Sequence, residues 1–233
     1  MGEKLRMIII TGSSGGIGNY LFNKYLQEGE EVYGTYNSNK PVVADDKYIS
    51  QVDVTDYKQV TKWVENIGNN IDNPVLINCA GVNYISLAQN ADLESWTRII
   101  NVNLIGTFHV IHALLPFMRK TGYGRIINCS SVVAQMPVPG TSAYASSKSG
   151  LWGLCRSLAA ENAKQNITIN NLNLGYFNVG MIGEVPNKYQ KELKQRIPTG
   201  QFGNPRNIYN AINFLIDNEY INGTSIDING GIL

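Results

Sequence analysis

The chain has 233 residues, of which 43% are hydrophobic and 16% charged, with a formal net charge of +1. That balance excludes a disordered or fibrous chain and leaves no broad basic field of the kind that holds nucleic acid. No apolar run reaches membrane-spanning length, and Cys79, Cys129 and Cys155 are far apart in sequence and lack zinc-ligand spacing, so reduced thiols and no metal are expected.

In chain order, apolar runs at 5–10, 32–36, 47–52, 75–78, 125–129, 167–174 and 224–228 predict seven strands. Helix-like stretches lie between them at 17–28, 58–68, 93–120, 143–164 and 205–218. The runs are rich in Ile, Val and Leu without polar alternation, the pattern of strands buried on both faces. Strand–helix alternation along the whole length predicts one α/β domain over 1–233: a Rossmann-type, doubly wound parallel sheet with helices on both faces. Pro116 is expected to kink or end the third helix, and Pro137, Pro139 and Gly140 mark a loop. The first strand runs straight into a glycine-rich turn, so no cleaved leader is expected. Asparagine is frequent and carries no mechanism at this level.

The turn is Thr11-Gly12-Ser13-Ser14-Gly15-Gly16-Ile17-Gly18. Glycines let a backbone approach a pyrophosphate, and a helix N-terminus supplies N–H donors and the positive end of a dipole. A tight turn that binds nothing is the alternative; the strand-to-helix setting favours the dinucleotide. The second strand ends Tyr36-Asn37-Ser38, with Lys40 near, and has no acid there to hold a ribose 2′-hydroxyl. NADP(H) is therefore favoured over NAD(H).

Tyr144 and Lys148 stand at i,i+4 and share a helix face. A nearby ammonium favours a phenolate, so the Tyr144 pKa is expected to fall. Ser130-Ser131 ends the fifth strand and Asn78-Cys79-Ala80-Gly81 the fourth, both at the sheet edge where ligands of such folds bind. Asn103 lies in the long helical region.

Together these motifs, in this order, resemble a classical short-chain dehydrogenase/reductase along nearly the whole chain. The 197–205 and 228–231 stretches are especially similar to 3-oxoacyl-carrier-protein reductases. The resemblance implies a catalytic tetrad of Asn103, Ser131, Tyr144 and Lys148, with Ser131 preferred over Ser130 by its spacing to Tyr144. It implies cofactor contacts at Gly12, Ser14, Gly16, Ile17, Gly18, Asn37, Ser38, Asp53, Val54, Asn78, Ala80, Gly81, Tyr144, Lys148, Gly175 and Phe177. Substrate contacts are expected from Tyr84, Ser131, Gln135, Tyr144, Tyr176 and Met181, under a short lid at 176–200. Several positions depart from the family: Leu174-Gly175 stands for a Pro-Gly after the sixth strand, and three more bear on the cofactor. Cys79 stands for an Asn, Val179 for a Thr that contacts the nicotinamide end, and Gly15 where many NADP-preferring relatives carry Arg or Lys.

The implied chemistry is hydride transfer between nicotinamide and a carbonyl or secondary alcohol. Tyr144 moves the proton, Ser131 stabilises the oxygen, Lys148 holds the ribose, and Asn103 positions a relay water. The lid has no Arg or Lys before Lys188, which favours a neutral or modestly polar substrate. Gly122 and Gln165 stand where carrier-docking reductases present basic residues, which weakens a carrier-bound substrate, although Arg119, Lys120, Arg125 and Lys164 are near. A non-catalytic dinucleotide sensor with the same fold is the second reading, opposed by the intact tetrad. A sugar-nucleotide epimerase or dehydratase ranks third. The resemblance further implies a cytoplasmic homotetramer, built on the two long helices and the C-terminal end, with no nucleic-acid or membrane partner.

Overall fold

The structure, a computed structural model, describes residues 6–41, 46–68 and 71–233, with the backbone alone at Asp46, Met181 and Glu184. Its strands are β1 (Met7–Thr11), β2 (Glu31–Tyr36), β3 (Ile49–Gln51), β4 (Pro74–Asn78), β5 (Gly124–Ser131), β6 (Ile167–Leu174) and β7 (Ser225–Ile228). Its helices are α1 (Gly16–Gln27), α2 (Tyr57–Gly68), α3 (Leu93–Ile100), α4 (Thr107–Thr121), α5 (Ser142–Asn162), α6 (Asn187–Arg196) and α7 (Pro205–Asp217). All seven strands are parallel and form one sheet in the order β3-β2-β1-β4-β5-β6-β7. This is the Rossmann-type α/β arrangement expected from the alternating pattern.

Successive strand residues face opposite sides of a sheet, and the core divides accordingly. Met7 and Ile9 of β1 join Leu76, Ile126 and Ile169 beneath Trp63 of α2 and Ile111 and Leu114 of α4. Ile8 and Ile10 join Val75, Ile77, Ile127 and Leu172 beneath Leu21 and Phe22 of α1 and Ile208 and Ile212 of α7. Chain order reverses between β1 and β4, which opens a crevice at the carboxyl ends of the strands.

Pro116 does not end its helix. α4 runs on to Thr121 and stops where Gly122 adopts a left-handed φ of 66°. The irregularity lies earlier, at Asn101–Gly106, where one wide π-type stretch joins α3 to α4. A β-carbon on Gly106 would come within 2.6 Å of Val54 Cγ2, so the absence of one lets this stretch lie against Val54. The continuous helix 93–121 is apolar and long enough to cross a bilayer by length and composition. Here its Val110, Ile111, Leu114 and Met118 are buried in the core instead. α6 was not anticipated: none of its residues is buried, so it has no apolar stripe to read.

Asparagine has a mechanism after all. Asn78, Asn128 and Asn171 occupy matched positions on β4, β5 and β6 and are all buried. Asn78 Nδ2 donates to Asn128 Oδ1 (2.9 Å), Asn128 Nδ2 to Asn171 Oδ1 (3.0 Å), and Asn171 Nδ2 to Ser225 Oγ on β7 (3.1 Å). Each amide donates to the next, so the groups between strands are paired, and the ladder leaves Asn78 Oδ1 at its open end buried without a partner.

Candidate active site

Gly12 (φ 71°) and Gly16 (φ 50°) take the left-handed conformations that favour glycine. A β-carbon on Gly12 would lie 2.7 Å from Ala80 Cα, and one on Gly18 would lie 2.3 Å from Gly12 O. The turn is pinned from below: Ser13 N donates to Thr35 O (2.7 Å), Ser13 Oγ to Ile10 O (2.9 Å), and Asn19 Nδ2 to Ser13 O (3.2 Å). Ala80 N donates to Thr11 Oγ1 at 3.2 Å. Thr11, Thr35 and Asn19 were not singled out from the sequence, since threonine and asparagine near a turn are common. No side chain caps α1, so its first N–H groups remain available to an anion, with half-buried Ser14 and Ile17 beside them. The tight glycine cradle and uncapped helix end fit a dinucleotide diphosphate.

The far end of the crevice also fits. Asn37 and Ser38 are exposed just after β2, with no carboxylate between Tyr36 and Pro41. Asn37, Asp53 and Thr55 face Leu93, Arg98 and Val102 across a groove of about 600 Å³. Asp53 Oδ1 accepts from Thr55 N (2.9 Å) and Oγ1 (2.8 Å), and the buried Val54 carries its carbonyl 3.0 Å from His109 Nδ1.

Tyr144 is half-buried in the first turn of α5, and Lys148 is buried one turn later. Lys148 Nζ donates to Cys129 O at 2.7 Å and lies 5.6 Å from the Tyr144 ring centre. Strand alternation separates the two serines. Ser130 Oγ is buried and donates to Lys148 O (3.2 Å), whereas Ser131 is half-buried and its hydroxyl interacts with the Tyr144 phenol. Asn103 sits in the wide helical stretch. Its Oδ1 accepts from Val82 N (2.8 Å), and its Nδ2 donates to Val82 O (2.9 Å) and Ser147 Oγ (3.1 Å). A β-carbon on Gly81 would stand 3.4 Å from Asn103 Oδ1 and 3.6 Å from Lys148 Nζ, ordinary contact distances that place the Gly81 backbone against both side chains.

The phenol behaves differently from expectation. Burial pushes Tyr144 up to about 12, opposed by the Ser131 hydroxyl. Lys148 is itself pushed down by burial. Its ammonium is directed to the Cys129 carbonyl, and desolvation therefore governs the phenol.

The expected substrate residues are less uniform. Tyr84 Oη accepts from Asp92 N (2.9 Å), which commits the phenol to its own loop. Gln135 Nε2 donates to Asp227 Oδ1 (2.8 Å). Tyr176 packs tilted against Phe202 at 6.5 Å and is close enough to act electrostatically on Tyr144. The Met181 side chain lies outside the described residues. Gly175 N donates to Ile228 O, while the Phe177 ring is buried against Gly203. Val179 packs at the edge of the core. The 180–184 turn leads back over the glycine turn, where a β-carbon on Gly16 would meet Gly180 Cα at 2.9 Å. Cys79 and Cys129, distant in sequence, meet with their sulfurs 3.3 Å apart. Among the described residues, no three His, Cys, Asp or Glu side chains gather to hold a metal.

A parallel sheet with this reversal, a glycine cradle and a Tyr–Lys–Ser group at its edge defines a dinucleotide-binding oxidoreductase of the Rossmann type. Residues 6–190 match the short chain dehydrogenase family, and the chain belongs to it. It is an NAD(P)-dependent short-chain oxidoreductase with a nicotinamide dinucleotide cofactor. It is 34% identical over 240 residues to the 3-oxoacyl-[acyl-carrier-protein] reductase FabG of Thermotoga maritima, covering 98% of each chain. It is 31% identical over 235 residues to the acetoacetyl-CoA reductase of Shinella zoogloeoides, covering 97% of this chain and 98% of that one. The ligand-free aldohexose dehydrogenase of Thermoplasma acidophilum superposes with a TM-score of 0.89 at 26% identity, covering 98% of this chain and 94% of that one.

Proposed function

We propose that the chain is an NADP(H)-preferring reductase of ketone substrates, with 3-oxoacyl thioesters the first class to test. The observation that carries the reading is the meeting of Tyr144, Ser131 and Lys148 at the strand ends beside the Gly12–Gly18 cradle. The cradle and α1 hold the diphosphate, Asp53 and Val54 border the adenine, and Asn37 and Ser38 leave room for a 2′-phosphate. The cofactor, when bound, supplies or accepts the hydride. Tyr144, protonated at neutral pH, donates its phenolic proton to the substrate oxygen. Ser131 donates a hydrogen bond to the same oxygen as negative charge develops. Lys148 holds the ribose and, being positive, stabilises the phenolate that proton donation leaves. Both ends of the Asn103 amide are engaged, so its side chain acts by clamping Val82, and with it Gly81, against Lys148.

The named relatives support the thioester class. The likeness to an aldohexose dehydrogenase, together with the amides Asn83, Gln135 and Asn178 in the segments expected to border the substrate, favours a sugar as the second reading. We read residues 1–233 as one domain and the assembly as a cytoplasmic homotetramer. Exposed Leu93, Ile105 and Phe108 along the 93–121 helix support an apolar contact between copies. Fluorescence titration with NADPH and NADH, followed by turnover with acetoacetyl-CoA and with aldohexoses, tests the proposal. Tighter NADPH binding and thioester reduction are expected. Absence of binding to either dinucleotide would overturn it.

A further inference from the structure

Cys79 follows directly on the Asn78–Asn128 rung, and Cys129 follows the same rung on the neighbouring strand. Adjacent strands run about 4.8 Å apart, inside the usual Cα separation of a disulfide. The sulfurs are already 3.3 Å apart in an S–H···S contact, so closing to an S–S bond of about 2.05 Å asks little of the backbone. Cys129 is buried, while Cys79 is half-buried on the crevice side, against the glycine turn. Lys148 lies beside the pair, since its ammonium donates to the Cys129 carbonyl. Either sulfur can donate in this contact; with Cys79 as donor, it and the Lys148 ammonium hold the Cys129 thiol below its ordinary value and ease the first ionisation of the pair. Cys155 stands apart, with its thiol donating to Ile169 O, and takes no part.

We propose that Cys79 and Cys129 form an oxidation site, which a hydroperoxide converts into a disulfide beneath the cofactor crevice. The Cys129 thiolate takes the Cys79 proton across the S–H···S contact, and the half-buried Cys79 sulfur, now the thiolate, attacks the hydroperoxide, whose O–O bond breaks. Cys79 becomes a sulfenic acid and the hydroperoxide leaves as an alcohol, or as water when it is hydrogen peroxide. The Cys129 sulfur then attacks Cys79, and the sulfenic oxygen leaves as water with the remaining proton. Overall, two thiols lose two electrons and two protons, and the O–O bond is reduced. The new bond tethers Cys79 to β5, and with it the Ala80–Gly81 segment. That segment is the surface on which Gly12 rests, at 2.7 Å from a would-be β-carbon, and it borders Lys148. Because it is pulled from below the cradle, dinucleotide binding weakens; this consequence rests on the cofactor reading above, whereas the disulfide itself does not.

The test uses the purified full-length chain treated with hydrogen peroxide. Intact mass is expected to fall by the two hydrogens lost, and peptide mapping to join the peptides that carry Cys79 and Cys129. Thiols titrated in denaturant should drop from three to one. Cys155→Ser should still form the link, and Cys79→Ser and Cys129→Ser should each abolish it. NADPH affinity, followed by fluorescence, should fall about tenfold or more and return with dithiothreitol. Oxygen adducts without a Cys79–Cys129 link, or a link through Cys155, would overturn the assignment, and the wild-type result reads this even if a serine variant fails to fold. A link formed with unchanged NADPH affinity would overturn its coupling to the crevice. If neither the reduced nor the oxidised chain bound a dinucleotide, the cofactor reading would fail while the mass still reported on the thiols.

Discussion

Gly16 of the glycine turn and Gly180 of the turn after β6 meet backbone to backbone: a β-carbon on Gly180 would stand 3.0 Å from Gly16 Cα. Both have positive φ, 50° and 74°. The 176–200 segment therefore closes onto the cofactor cradle through two residues without side chains. Gly180→Ala meets a steric contact and a left-handed backbone that costs a non-glycine residue about 1–2 kcal/mol. We expect NADPH to dissociate about five- to thirtyfold faster in stopped-flow, with the thermal midpoint lowered by about 2–8 °C. An unchanged release rate would separate this turn from cofactor retention.

Tyr144→Phe keeps the ring and removes the proton. Turnover should fall about 10²- to 10⁴-fold while NADPH affinity changes less than about twofold, as single-turnover kinetics and fluorescence titration would report. Near-normal turnover would take Tyr144 out of the chemistry.

Asn128 stands in the middle of the amide ladder. In Asn128→Ala, Asn78 Nδ2 loses its acceptor and Asn171 Oδ1 its donor, both in a buried setting. Two buried groups left unpaired should cost about 2–4 kcal/mol in urea denaturation. A loss below about 0.5 kcal/mol would mean that the neighbours re-pair.

Alkaline pH should destabilise the fold. Burial pushes Cys155 and Tyr144 each up to about 12, from ordinary values of 9.0 and 10.0, and pushes Tyr25 up as well. The folded chain thus binds these protons more tightly than the unfolded chain. The stability they contribute is complete below about pH 9 and is lost as pH rises toward about 12. Cys79 and Tyr123 are raised as well and add to the decline, whereas Lys148 and Cys129, both lowered, act in the opposite sense. The thermal midpoint should decline from about pH 9 upward, and Cys155→Ala should flatten the first part of that decline.

The strands were legible because each is a short apolar run between turns, and burial on both faces is what such runs require. β1 and β4 are buried at every position. The glycine turn and the shared helix face of Tyr144 and Lys148 were readable from spacing, whereas the choice of these two with Ser131 and Asn103 as a catalytic group rested on the family resemblance. α6 was not, since a helix with no buried face leaves no period. The wide stretch at Asn101–Gly106 was hidden too: its sequence, Asn-Val-Asn-Leu-Ile-Gly, is compatible with ordinary helix, and only the contacts of Asn103 with Val82 and Gly106 with Val54 require the extra width. The asparagine ladder and the thiol pair are relations between strands, and register is invisible until the strands are paired.

The wide stretch also fixes how the long helix can evolve. An ordinary α-helix turns about 100° per residue. A π-type turn takes about one residue more than an α turn for the same rotation, so rewinding all six residues as ordinary helix would swing α3 around by about that angle and part Ile99 from the core or Asn103 from Val82. Deleting one of the six would instead restore regular winding with both flanks in place, so this stretch is where the helix can lose a residue and keep its register.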